Sequence, residues 1–300
     1  MANKRGRGVA ACWYGIARTA TVDRAGAWAE IDDGGTAKIV TGVTEIGEGI
    51  LTVLAQIAAE TLGMPMSAVD MVMADTAHTP PAHITAASST TITSGMAIKL
   101  AAEDARRHVM ERAATLLQTS TVHLQGGRVV ATAHPERSLR VTEVLAGMPG
   151  DIVGTAQYTA GSATHIINTF AAHFAEVEVD MHSGRIRVLR YVAVHDSGRI
   201  VHPTMAMNQV SGGVLQFLGI ALREELYLDP HLGVTLNPNF LEHKCTSIVD
   251  FPAVEVLFTG TPDPVGPYGA KALGEPPVVP VLGAIANAVA NASGVWLNEV

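Results

Sequence analysis

Three times in this chain a glycine- or serine-bearing turn opens directly onto a long apolar helical pattern, and this repetition limits the fold more than any other feature. Gly47-Glu48-Gly49 precedes residues 50–62, where Ile50, Leu54, Ile57 and Ala58 share one face and Thr52, Gln56 and Glu60 the other. Ala86-Ala87-Ser88-Ser89-Thr90 precedes residues 91–117, with Ala102, Ala105, Val109 and Ala113 as the stripe. Gly274-Glu275-Pro276-Pro277 precedes residues 278–292, and proline is favoured where a helix starts. Helices patterned in this way must cover their stripes with a second layer.

The sequence supplies sheets for that purpose. Alternation around Trp28 and Glu30, the turn Asp33-Gly34-Gly35 and the strand Lys38-Ile39-Val40 read as a hairpin, and residues 69–74 as a further strand. The second half repeats the theme: Ala175, Val177 and Val179 alternate with Glu176, Glu178 and Asp180. His182-Ser183-Gly184 then turns the chain into a return strand, and a helix is expected over 205–222. Hairpins followed by helices, twice, predict an α+β fold of two similar subdomains, residues 1–150 and 151–300, divided at the turn around Pro149.

Composition narrows the function. A net charge of −8 offers no basic face for phosphate, which excludes a nucleic-acid binder, and Lys4, Arg5 and Arg7 read as a solvated end. Only 16% of residues are charged, which suits a chain that buries surface against partners. Cys12 and Cys245 are too few thiols for an iron–sulfur cluster within the chain. No apolar run long enough to span a bilayer is expected, and the chain reads as cytoplasmic.

The twelve histidines are scattered; His78 with His83, and His195 with His202, lack the tight spacing of a zinc site. Gly269-Ala270-Lys271 is not a phosphate-binding loop, and no nucleophile elbow occurs. What remains is three helix N-termini, each offering unpaired amides to an anion, with Ser88, Ser89 and Thr90 able to cap the helix or donate to a ligand. Glu275 is a candidate general base at the mouth of the last helix, where burial would raise its pKa and the helix dipole would lower it.

The run from Thr44 through Gly49, with Gln56 and Glu60-Thr61-Leu62-Gly63, resembles the molybdenum hydroxylases of the xanthine oxidase and aldehyde oxidase family. Thr85-Ala86-Ala87-Ser88, Glu176-Val177-Glu178-Val179-Asp180, Asp196-Ser197-Gly198-Arg199, Gln209, Gly212-Gly213 and the run Gly269 through Pro277 continue the likeness in order. The resemblance implies a molybdenum pyranopterin cofactor, in its cytosine dinucleotide form. It implies that Gly47, Glu48 and Gly49 approach the metal's oxo ligand, that Ala86, Ala87, Ser88, Ser89 and Thr90 cradle the pterin and phosphate end, that Gln209 hydrogen-bonds the pterin, and that Gly274 belongs to the cofactor-binding set. Glu275 matches the family's base, which takes a proton while water-derived oxygen is transferred to an electron-poor carbon beside nitrogen, or to an aldehyde.

Two departures stand out. The family commonly has Gln where this chain has Glu48, and an ionised carboxylate cannot donate to an oxo ligand as an amide can. Arg18 stands in a segment resembling one that reaches the substrate, which suggests an anionic substrate group. Nothing here resembles the family's earlier molybdopterin-binding half, its ferredoxin or its flavin module. The expectation is therefore a subunit of the second half, inactive alone, like the split molybdenum protein of nicotinate dehydrogenase. Its partners would be a subunit with the other half, an iron–sulfur subunit and an FAD subunit. The alternative is a non-catalytic scaffold paralogue within such a complex.

Overall fold

A computed structural model describes residues 3–16, 22–160 and 167–297. In chain order the strands are β1 (Lys4–Gly15), β2 (Asp23–Ile31), β3 (Ala37–Thr41), β4 (Val69–Met73), β5 (Val122–Gln125), β6 (Arg128–Ala131), β7 (His134–Arg140), β8 (Ile152–Ala160), β9 (Asn168–Val179), β10 (Ile186–Asp196) and β11 (Val254–Phe258). The helices are α1 (Ile50–Leu62), α2 (Thr90–Leu116), α3 (Val141–Leu145), α4 (Pro203–Leu222) and α5 (Val281–Ser293). The fold is α+β, as the patterning implies.

The chain forms two compact units, each assembled from separated segments. Unit 1 comprises residues 1–14, 168–261 and 273–300; unit 2 comprises 15–167 and 262–272. The division expected at residue 150 falls inside unit 2, because β8 pairs along its whole length with β2, from Ile152 opposite Ile31 to Ala160 opposite Asp23.

In unit 1 the sheet order is β1-β9-β10-β11. β9 and β10 form the expected hairpin, with Asp180 closing its turn by accepting the His182 amide at 2.9 Å. Period-two alternation sends Ala175, Val177, Val179, Tyr191 and Ala193 to one face. There they pack with Val210, Val214 and Leu218 of α4 and with Val281, Ala284, Ile285 and Ala288 of α5. The basic start is not a loose end but the edge strand β1. Arg5 and Arg7 lie beside Glu178 and Glu176 at 3.5 and 3.2 Å, exposed pairs that fix register more than they stabilise. Glycine is required on the inner side of β1: a Cβ at Gly8 would stand 2.2 Å from the Ala284 carbonyl oxygen, so strand and helix touch backbone to backbone.

One helix departs from the sequence expectation. With 20 residues and a mean hydropathy of 1.2, α4 has the length and composition of a bilayer-crossing helix. In this fold Val210, Val214 and Leu218 lie in the core of unit 1, while only 22% of the span is buried.

A buried polar chain crosses the same core. His173 Nδ1 lies 3.0 Å from the Tyr191 hydroxyl and His173 Nε2 lies 2.9 Å from His195 Nε2. Burial drives both imidazoles down, His173 to about 3 with help from His195, and His195 to about 4, so both are neutral at physiological pH.

In unit 2 the sheet order is β4-β3-β2-β8, with α1 and α2 packed on it, and β5-β6-β7 form a smaller sheet. β3 and β4 run parallel, with α1 as the crossover between them. The close approach seen in unit 1 recurs: a Cβ at Gly154 of β8 would lie 2.2 Å from the Ala101 carbonyl oxygen of α2. The Ala-rich stripe of α2, Ala101, Ala102, Ala105, Val109 and Ala113, is fully buried because only small side chains allow that contact.

Candidate functional site

Unit 1 carries Glu275, Gln209 and Gly274. The last helix begins at Val281, with Pro280 as its N-cap, and not directly after Pro277. Glu275 therefore stands in a separate turn, closed by the Val278 amide donating to its carbonyl at 3.1 Å. It is exposed and stands ahead of the helix start. Three side chains from two elements hold this turn. Gln209 Nε2 donates to the Gly274 carbonyl at 3.2 Å. The Cys12 thiol, kept protonated by burial that pushes its pKa up, donates to the Pro276 carbonyl at 3.8 Å. The Tyr14 hydroxyl donates to Glu275 Oε2.

Local geometry explains why these side chains reach the turn. Cys12 and Tyr14 are alternate residues on the inner side of β1, in line with Gly8 and Ala10. Gln209 and Gly213 stand one helical turn apart on α4, and the bare Gly213 lets Pro277 approach to where a Cβ would be only 2.9 Å away. Sequence reasoning singled out Gln209 and Glu275 but overlooked Tyr14; its inward position on an alternating strand was the available signal.

Unit 2 carries the glycine turn and the serine-rich turn, joined where the Thr85 hydroxyl donates to the Thr44 carbonyl at 2.6 Å. Gly47 and Gly49 adopt φ of 107° and 86°, the left-handed region that glycine enters freely. The amides they were expected to offer are already taken. Glu45 Oε1 accepts from Gly47 at 2.8 Å and Gly49 at 2.9 Å, and Glu45 Oε2 accepts from Leu51 at 3.0 Å. Glu45 thus fills the anion site at the start of α1 and was missed, although a carboxylate just ahead of a helix start is the usual occupant.

Glu48 lies beside it in the opposite electrical situation. Burial works to raise the Glu45 pKa, but the Leu51, Gly49 and Gly47 amides outweigh it and hold that carboxyl down to about 2. Burial, with the neighbouring Glu45 charge, pushes Glu48 up. Its Oε2 accepts from the Ile46 amide at 2.8 Å, while its Oε1 is buried with no hydrogen-bond partner.

At the second turn Ala87 and Ser88 have φ of 52° and 51°, costly for residues with a Cβ. Ser89 is the N-cap residue of α2 but does not cap it with its side chain. Its hydroxyl donates to the Ala86 carbonyl at 2.9 Å, which makes His83 Nε2, 2.6 Å away, the donor to Ser89 Oγ. The first amides of α2 thus have no side-chain cap, and the Thr93 and Ser94 hydroxyls in its first turns are buried without partners. Arg18 lies outside the described residues.

An uncapped helix start, neutral hydroxyls and one buried carboxyl oxygen form a donor set of hard oxygen and N–H groups. It suits the pterin and phosphate parts of an organic cofactor, not direct ligation of a metal. Residues 1–252 match the family model of the molybdopterin cofactor-binding domain. The xanthine dehydrogenase molybdenum-binding subunit of Escherichia coli O157:H7 is 35% identical over 309 residues, covering 99% of this chain and 41% of that protein. The aldehyde oxidoreductase molybdenum-binding subunit of Escherichia coli (strain K12) is 33% identical over 300 residues, covering 98% and 39%. The crystal structure of quinoline 2-oxidoreductase from Pseudomonas putida 86 superposes with a TM-score of 0.90 at 26% identity, covering 99% of this chain and 40% of that one.

This chain therefore belongs to the molybdenum hydroxylase family, as part of its molybdenum-binding subunit. It spans about two fifths of the length of the curated relatives it matches.

Proposed function

We propose that this chain supplies one part of the molybdenum site of a cytoplasmic hydroxylase or dehydrogenase acting on an N-heteroaromatic or aldehyde substrate. Glu275 would be the general base, and the site would be shared with a second subunit. The observation that carries this reading is the Glu275 turn: an exposed carboxylate held from below by Gln209, Cys12 and Tyr14, none of which covers it. When bound, a molybdenum pyranopterin, as the cytosine dinucleotide, supplies a two-electron redox centre and an electrophilic metal.

Every other requirement falls on protein groups. The Tyr14 hydroxyl donates to Glu275 Oε2 and orients the carboxylate that would take up the proton. Glu48, whose pKa burial raises, would stand where the family has an amide. Residues 86–90 present the start of α2 to phosphate. Water exclusion from Glu275 would fall to the second subunit, with exposed Leu226, Phe240, Leu241 and Val249 on the loop after α4 offering apolar surface to it. The name of quinoline 2-oxidoreductase favours an N-heteroaromatic substrate. Iron–sulfur and FAD subunits would carry the electrons away.

The test is Glu275→Gln in the assembled enzyme, which should lower kcat by roughly 10²–10⁴ with molybdenum content unchanged. Full activity at normal molybdenum content would remove this mechanism and favour the scaffold reading. For Arg18, an unaltered KM toward every acidic substrate in Arg18→Ala would remove the proposed substrate contact.

A further inference from the structure

Glu224 stands 19 residues before His243 and Cys245 two beyond it, and the three converge where the loop after α4 returns to the helix. Their ligand atoms all lie within 4.8 Å of one another. We propose that these three side chains form a zinc site that fastens this loop to the end of α4.

Both sides of the site are held by the backbone. The Glu224 amide donates to the Gly219 carbonyl at 2.8 Å, and the Glu224 carboxylate folds back over Gly219, where a Cβ would stand 2.1 Å from Oε1. Opposite it, the His243 amide donates to the Asn239 carbonyl at 2.9 Å, and Ser247 is tied to Asp250 at 2.7 Å. His243 and Cys245 thus extend from a short segment braced at both ends.

The spacing fits a metal. His243 Nε2 and Glu224 Oε2 are 3.5 Å apart. Two ligands with zinc bonds of about 2.0–2.1 Å stand about 3.4 Å apart across a tetrahedron, close to the spacing seen. A zinc–sulfur bond of about 2.3 Å asks Cys245 Sγ to approach by no more than about 1 Å, which an exposed side chain can do. Below the site the Thr246 hydroxyl is buried without a partner, 3.1 Å from the same point above Gly219 that Glu224 Oε1 crowds.

The chemistry points the same way. One thiolate, one imidazole and one carboxylate are the ligand types zinc takes, and they leave a fourth position for water. Thiolate and carboxylate balance the charge of Zn²⁺, the imidazole stays neutral, and the thiol proton leaves to solvent as the metal binds. The clip would close the segment bearing Leu228, Phe240 and Leu241, exposed apolar side chains that otherwise have no anchor of this strength. The site lies wholly in unit 1 and involves no pterin group, so it stands or falls apart from the proposed activity.

The experiment strips the purified full chain with a chelator and titrates it with Zn²⁺, and with Co²⁺ as an optical probe. One equivalent should bind, with a thiolate-to-cobalt charge-transfer band. Cys245→Ser should abolish the band, Cys245→Ser and His243→Ala should each weaken zinc binding at least about tenfold, and Cys12→Ser should change neither. Absence of a bound equivalent, or wild-type affinity in the Cys245→Ser or His243→Ala variant, would overturn the site.

Discussion

The Tyr14 hydroxyl donates to Glu275 Oε2, joining the end of the first strand to the turn that precedes the last helix. The bond orients the carboxylate within its turn. In Tyr14→Phe the carboxylate loses its restraint but keeps its charge. Steady-state kinetics on the assembled enzyme should show kcat reduced about tenfold, less than in Glu275→Gln, with KM little changed. A kcat equal to wild type would mean that Tyr14 does not position the base.

Gln209 acts on the same turn from α4. Replacing it by Ala removes a partly exposed hydrogen bond, worth about 0.5–1.5 kcal/mol to the fold in urea titration. Gln209→Glu should be worse for activity than Gln209→Ala, because a carboxylate facing the Gly274 carbonyl repels where the amide donated. Equal activities in the two variants would show that the bond does not hold the turn in place.

Glu45 and Glu48 impose opposite pH dependences on unit 2. The folded pKa of Glu45, about 2, lies below its ordinary value of 4.5, so its stabilisation is present above pH 4.5 and is lost as pH falls toward 2. The folded pKa of Glu48 is raised, so its contribution is present below pH 4.5 and is lost as pH rises through the folded value. Thermal unfolding across pH should therefore show Glu48→Gln flattening the loss on the alkaline side. Glu45→Ala, which uncaps α1, should cost about 1–2 kcal/mol at neutral pH. Unchanged pH profiles in both variants would contradict the opposed pair.

The bare glycines of β1 and β8 make the strongest stability prediction. Gly8→Ala and Gly154→Ala each drive a Cβ to 2.2 Å from a helix carbonyl oxygen. Backbone cannot yield as a flexible side chain would, so each should destabilise by about 2–5 kcal/mol or prevent folding. Chemical denaturation measures the first outcome, and soluble yield the second. A loss below about 1 kcal/mol would mean that strand and helix are not in backbone contact.

Local order was legible where side-chain period and turn chemistry agreed. The helix expected over 50–62 is α1 to the residue, because Gly49 and Gly63 bracket an unbroken apolar stripe. The hairpin of β9 and β10 followed from alternation and the His182-Ser183-Gly184 turn. The last helix starts later than expected, because Pro276 and Pro277 shape a turn of their own and Pro280 marks the true start. The strand β1 was hidden, since its glycines and arginines carry no apolar alternation and acquire a role only against α5 and β9. In the candidate site, Glu275, Gln209 and the two cofactor turns were visible as residues, whereas Glu45 and Tyr14 acquired roles only through their partners.

By itself the sequence determined the elements with clear period, the family and the residue types able to do chemistry, because periodicity, turns and motifs are local properties of the chain. Only the tertiary structure decided that Tyr14 and Cys12 meet the Glu275 turn, which of two neighbouring carboxyls burial pushes up, and that His243 and Cys245 meet Glu224. Those outcomes depend on burial and on distances between segments separated by many residues, and no local pattern records them.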